Sequence, residues 1–174
     1  MDSYLFSLIH FLTGRYWLID FAISFSVRLL PYLIILATLW VIARLPSWQA
    51  RFYAAALSLV SIFIGWGVFS SIAEFFYFRL PPASVIDGVV SLINVPESSF
   101  PAASVIITAS LSISLFFFRR RWGASLFILS CLIGISRIAA AVSWPTDIIV
   151  SLAVGVLIPF LFRPFLTPSH PAAS

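Results

Sequence analysis

Apolar residues run along this chain in long blocks, and the polar positions that interrupt them fall at intervals suited to membrane crossings. Residues 4–13, Tyr4 to Thr13, are apolar but too short to span about 30 Å of hydrocarbon. They predict an interfacial helix, with Tyr16 and Trp17 beside it at head-group level. Leu18 to Ala43 is broken by Arg28 and Pro31 and reads as one kinked span or two short helices, the charge and the proline together favouring two. Phe52 to Phe78 is a 27-residue apolar run carrying Glu74 near its end. Residues 79–100 read as a loop, marked by Pro81, Pro82, Gly88, Asn94, Pro96 and Glu97. Pro101 to Phe118 has no charge and would be about 27 Å long as a helix, and Arg119-Arg120-Arg121 closes it. Trp122 to Val142 and Pro145 to Phe162 predict two more crossings, the last ending at Arg163. The expected architecture is an all-α integral membrane bundle of five or six transmembrane helices with a short N-terminal interfacial helix. It occupies one membrane-embedded domain, residues 1–166, followed by a disordered tail over residues 167–174.

Composition sharpens this picture. The chain is 61% hydrophobic and 9% charged, far below the roughly 25% charged of a soluble domain, so the surplus apolar surface must face lipid. All ten basic residues are arginines, giving a formal net charge of +4. In so apolar a chain that balance points to cytoplasmic loops, and nucleic acid is not an expected partner. If the spans alternate, Arg44, Arg51, the triple arginine and Arg163 share the cytoplasmic side. Arg79, Arg137, Asp147 and the loop of residues 79–100 then share the opposite one. A lone cysteine, Cys131, excludes a disulfide framework and paired thiolate ligands, and no metal or cofactor is called for. Met1-Asp2-Ser3 lacks a basic leader, so no cleaved signal peptide is expected. Ser104, Thr108 and Ser112, and then Ser130 and Gly134, recur every four residues, which favours close helix packing in lipid.

The chemistry concentrates in Ser136-Arg137-Ile138-Ala139-Ala140-Ala141-Val142-Ser143-Trp144-Pro145-Thr146-Asp147. This stretch resembles the third signature of the type 2 phosphatidic acid phosphatase superfamily, S-R-x5-H-x3-D, with Ser143 standing where the family has its nucleophilic histidine. Ser99-Phe100-Pro101-Ala102-Ala103-Ser104 is similar to the second signature, a P-S-G-H or P-S-D-H at the head of a transmembrane helix. There Ser104 occupies the place of the acid/base histidine. Phe76-Tyr77-Phe78-Arg79-Leu80-Pro81 resembles the end of the first signature, K-x6-R-P, without its lysine. The opening Leu5-Phe6-Ser7-Leu8-Ile9-His10 and the later Asp20 look like the bacterial undecaprenyl pyrophosphate phosphatase branch. The resemblance implies a membrane phosphatase fold in which one histidine attacks phosphorus, an aspartate orients that ring, a second histidine protonates the leaving oxygen and cations hold the phosphate. This chain has only His10 and His170, and neither falls in a signature.

Ser143 could attack only with a base beside it, and Asp147 is the candidate at helical spacing. The stronger expectation is that Ser143, Thr146 and Asp147 cap the last helix, with Pro145 in its first turn. Arg137 is costly near the membrane without a partner, and the sequence allows two: a bound phosphate, or Asp147 or Glu74. Glu74 would weaken a phosphate site. The expected function is a lipid-phosphatase-like membrane protein without either catalytic histidine, acting as a non-catalytic lipid-phosphate binder or membrane-complex subunit. The alternative is a phosphatase of undecaprenyl pyrophosphate or another lipid phosphate with a rewired site. Expected phosphate ligands are Arg79 and Arg137, the degenerate catalytic positions are Ser104, Ser143 and Asp147, and the expected partners are a polyprenyl or phospholipid phosphate and a second membrane protein. The expected location is the bacterial inner membrane, multi-pass, with the site on the extracytoplasmic side. In a Cys131→Ser background, a single cysteine after Arg121 should react only from the cytoplasmic side and one at Asn94 only from the other. Labelling of both from one side would refute the alternation.

Overall fold

The computed structural model describes residues 2–10, 13–14, 16–86, 88–89 and 91–166, so the expected tail, His170 included, lies outside the described residues. All regular elements among the described residues are helical: α1 (Asp2–His10), α2 (Trp17–Arg28), α3 (Leu30–Ala43), α4 (Trp48–Ile62), a π-helical turn (Phe63–Ser70), α5 (Ser71–Phe76), α6 (Pro82–Val85), α7 (Ala103–Phe116), α8 (Arg120–Ala139) and α9 (Pro145–Leu166). Local chemistry sets the boundaries. Ser47 caps α4 by accepting the Ala50 amide at 3.1 Å. Pro31 sits in the first turn of α3, where its missing N–H does no harm, and α2 and α3 meet there at a 50° bend. The expected break near Arg28 and Pro31 is therefore a bent pair of helices.

Among the described residues three elements are long and apolar enough to cross a membrane: Trp48–Phe76, Arg120–Ala139 and Pro145–Phe165. The bent pair of α2 and α3 gives a fourth if it crosses as one span. The apolar run from Pro101 to Phe118 yields a helix of only 14 residues, because Pro101 and Ala102 stay outside it and Phe117 turns off its end. Helix α7 is nonetheless the axis of the bundle, packing against α3, α4, α8 and α9. Val105, Ile106, Thr108, Ala109, Ser110, Leu111, Ser112, Ile113, Ser114 and Leu115 are all buried.

Small residues admit the neighbours. A Cβ on Gly155 of α9 would lie 2.7 Å from the Ala109 Cβ and 2.9 Å from the Ile106 carbonyl oxygen, and one on Gly65 would lie 2.9 Å from the Ile106 Cγ2. Thr108 and Ser130 hydrogen-bond across the α7–α8 seam at 2.7 Å. Outside this core, large apolar side chains such as Leu59, Phe63, Ile128, Ile149 and Leu157 stand exposed around the bundle, a surface suited to lipid rather than water.

The two ends differ. At one, Arg44 lies over Trp40, Trp40 packs edge-on against Trp122, Arg120 lies over Phe116 and Arg163 over Phe117. At the other, α1 is held down by Phe6, which is buried between His10 and Trp144. The segments bearing the sequence motifs converge on that second end. Because Gly155 meets backbone rather than a flexible side chain, Gly155→Val should cost about 1–3 kcal/mol. Its thermal unfolding midpoint in detergent should fall well below wild type, and an unchanged midpoint would disprove the close α7–α9 approach.

Candidate functional site

The site begins where α8 stops. The Ala141 amide bonds the Ile138 carbonyl at 3.0 Å and the Val142 amide bonds the Arg137 carbonyl at 3.2 Å, with Ala141 at φ 60°. This is a Schellman ending with alanine in the left-handed position that glycine usually takes, at a cost of about 1–2 kcal/mol. The Ala141 carbonyl then accepts the Ala83 amide at 3.1 Å, anchoring α6 of the long loop. The turn folds the chain back so that Ser143 faces the last turn of α8, and Arg137 Nε donates to Ser143 Oγ at 3.1 Å. The six-residue separation of arginine and serine in the motif is thus the length of one helix ending.

Arg137 also reaches α7, its NH1 group donating to Ser104 Oγ at 3.5 Å. The two positions where the family resemblance expects histidines therefore both carry hydroxyls, and both contact the same guanidinium. Among the described residues no carboxylate lies within ion-pair distance of Arg137, so neither Asp147 nor Glu74 is its partner. It lines a cleft of about 540 Å³ together with Glu74, Phe78, Glu97, Ala103 and Ser104.

Asp147 is engaged elsewhere. One of its oxygens takes a 2.9 Å ion pair from Arg79 and the other accepts the Ser99 hydroxyl. Ser99 Oγ in turn accepts the Trp144 amide at 3.3 Å, and Trp144 Nε1 donates to the Leu80 carbonyl at 2.9 Å. The second arm of Arg79 pairs with Asp2 at 2.9 Å, and Thr146 Oγ1 donates to the same Asp2 oxygen at 2.7 Å. The Arg79 guanidinium stacks 4.8 Å from the centre of the Trp144 ring. Arg79, expected beside Arg137 as a phosphate ligand, is thus neutralised by two carboxylates.

The expected capping of α9 by Ser143, Thr146 and Asp147 is also replaced, because these side chains are drawn into Arg137, Asp2, Arg79 and Ser99. Ser151 of α9 instead accepts the Ala102 amide at the head of α7 at 3.0 Å. His10 takes no part in the cleft. Its Nδ1 lies 2.8 Å from the Ala139 carbonyl, which fixes that nitrogen as the proton donor and gives it a helix-end role. The sequence offered no signal for Asp2, and Ser99 was visible only as a flank of the second motif.

No family model matches the chain. It is 28% identical over 168 residues to the undecaprenyl-diphosphatase BcrC of Bacillus subtilis (strain 168), covering 95% of this chain and 84% of that relative. This similarity accords with the resemblance of its motifs to the type 2 phosphatidic acid phosphatase superfamily. The fold agrees. Aquifex aeolicus LpxE superposes with a TM-score of 0.77 at 21% identity, over 94% of both chains. A PAP2 type phosphatidylglycerolphosphate phosphatase from Bacillus subtilis superposes with a TM-score of 0.67 at 16% identity, over 94% of this chain and 83% of that one. Within this fold the departures from the resembled motifs at Ser104, Ser143 and Arg79 lie at the heart of the motif cluster.

The Asp2–Arg79 pair has a readable pH signature. Partial burial works against ionisation of Asp2, but hydrogen bonds from Arg79 and Thr146 and the arginine's charge outweigh it and hold the carboxyl below its usual range. Arg79 is pushed up: burial opposes this, and the Asp2 and Asp147 carboxylates prevail. A lowered carboxyl contributes stability that is complete above its unfolded value, about 3.9, and is lost as the pH falls through the folded one. Wild type should therefore melt above Asp2→Asn at pH 7, and the gap should close as the pH drops below about 4. No gap at pH 7, or a gap that does not narrow at all as the pH falls, would mean the ion pair does not contribute.

Proposed function

We propose that this chain is a non-catalytic member of its superfamily that binds a lipid phosphate through Arg137, on the extracytoplasmic side of a bacterial inner membrane. The observation that carries this reading is the Arg137 guanidinium in the cleft, donating to Ser143 and Ser104 and paired with no carboxylate among the described residues. A guanidinium with hydroxyls on two arms still has N–H groups for a phosphate. The same geometry argues against turnover. Ser143 accepts a hydrogen bond from Arg137 instead of donating to a base, and both oxygens of Asp147 are occupied by Arg79 and Ser99. Without a base to take its proton, a serine hydroxyl is a poor nucleophile.

The lipid nature of the ligand is supported by a second feature. An apolar trough of about 440 Å³, lined by Ile35, Leu39, Leu59, Trp66, Ile107 and Leu111, lies between α3, α4 and α7. Ile107 and Leu111 follow Ala103 of the cleft at four-residue steps, so trough and cleft border the same face of α7. Relatives that act on lipid phosphates make polyprenyl and phospholipid phosphates the first ligands to test. Counting α7 as a further span, shorter than its neighbours, gives five spans, and the arginine-rich end is then cytoplasmic.

The test measures hydrolysis and binding side by side on purified protein. Phosphate release from undecaprenyl pyrophosphate and phosphatidic acid should stay at background, since loss of general acid catalysis alone is typically worth about 10²–10⁴-fold. Restoring Ser143→His and Ser104→His together should recover little activity, because the phosphate pocket also lacks its lysine. Lipid-phosphate binding should be present in wild type and lost in Arg137→Ala. Turnover that disappears in Ser143→Ala would instead make that serine a nucleophile, and the absence of both signals would leave a membrane-complex subunit.

A further inference from the structure

The cleft around Arg137 holds two carboxylates that a phosphatase site has no use for. Glu74 projects from α5 and Glu97 from the loop that precedes α7, and both line the same cavity as Arg137. Neither forms an ion pair among the described residues. The cleft therefore has one cation and two anions in its lining. Before any ligand enters, its net charge is negative. A pyrophosphate or a phosphomonoester, with two or more negative charges, would gain one arginine and face two glutamates, which is an unfavourable exchange. A divalent ion is a poor fit as well, since no group of three or more His, Cys, Asp or Glu side chains suited to a metal exists among the described residues.

We infer that the cleft selects a phospholipid head group that carries its own ammonium, with a singly charged phosphodiester on Arg137 and the ammonium between Glu74 and Glu97. This inference rests on the reading of Arg137 as the lipid-phosphate ligand and names the class of lipid. Such a zwitterion satisfies both signs at once. The phosphate oxygens take the guanidinium N–H groups left over by Ser104 and Ser143. The ammonium, one short alkyl link away, has N–H donors for both carboxylates. The positions suit a lipid: Ser104 stands in the first turn of α7, later turns of that helix line the apolar trough, and the glutamates are exposed. A primary ammonium is preferred over a quaternary one because only the former donates hydrogen bonds.

The experiment uses full-length protein in nanodiscs of neutral matrix lipid, with EDTA present so that no divalent ion bridges carboxylate and phosphate. Retention of phosphatidylethanolamine, phosphatidylglycerol and phosphatidic acid is counted by native mass spectrometry for wild type, Arg137→Ala and the double variant Glu74→Gln/Glu97→Gln. Circular dichroism and size exclusion verify that each variant is folded. Wild type should favour phosphatidylethanolamine over phosphatidylglycerol by on the order of fivefold to tenfold, the effect of a pair of partly exposed ionic contacts. The glutamine variant should lose that preference while gaining affinity for phosphatidic acid, and Arg137→Ala should lose all three lipids. Competition by soluble glycerophosphoethanolamine, with none by glycerophosphoglycerol, would show that the head group itself is recognised. Equal, Arg137-dependent retention of phosphatidylethanolamine and phosphatidylglycerol would overturn the ammonium selection and leave the lipid-phosphate reading standing. Retention indifferent to Arg137 would overturn both.

Discussion

The buried carboxylate of Asp147 is the constraint on which the functional end of this molecule depends. An ionised carboxylate out of water costs several kcal/mol unless it is paired and hydrogen-bonded, and here Arg79 and Ser99 supply both requirements. Each brings a distant segment with it. Arg79 carries the loop after α5 and, through its other arm, Asp2 of α1. Ser99 carries the strand of loop that leads into α7 and holds the Trp144 amide. In the family resemblance the aspartate steadies a histidine that bears positive charge during the reaction. In this chain the positive charge beside it is a permanent one from a different part of the sequence. Here the network acts as a fastening between these segments.

That fastening divides the charges at this end of the bundle into two sets. Asp2, Asp147 and Arg79 satisfy one another, with Thr146 and the Trp144 ring completing the arrangement. Arg137, Glu74 and Glu97 do not, although they border one cavity. The separation follows from the backbone. The left-handed residue Ala141 turns Ser143 toward Arg137, and the start of α9 then points Asp147 away from it, toward Arg79. A helix that ran on past Ala139 would have placed Arg137 and Asp147 in quite different company.

Much of the fold was legible because apolar runs and their arginine stops are properties of consecutive residues. The spans ending at Phe76, Ala139 and Leu166 were visible in that way, as was the break between Arg28 and Leu30. The length of α7 was not, since hydrophobicity alone does not reveal that Pro101 and Ala102 stay outside the helix. At the site, the family resemblance grouped Arg137, Ser143 and Ser104 from distant segments, and the structure brings these three into contact. The partners of Arg79 and Asp147 were illegible for a simple reason. Any of several carboxylates could have met either arginine, and the choice of Asp2, 77 residues from Arg79, is made by the docking of α1. The capping expectation for Ser143, Thr146 and Asp147 failed by the same logic, because a local rule describes these side chains only when no tertiary partner competes for them.

The shortness of α7 has a consequence for how a ligand arrives. A helix of 14 residues rises about 21 Å, less than a bilayer's hydrocarbon thickness of about 30 Å, while the helix from Trp48 to Phe76 beside it has 29 residues. The axis of the bundle is therefore shorter than the helix beside it, and Ser104 stands in its first turn. If the proposed lipid binds at Arg137, it could reach that end from the side and tip its head group inward while its chains remain in oil.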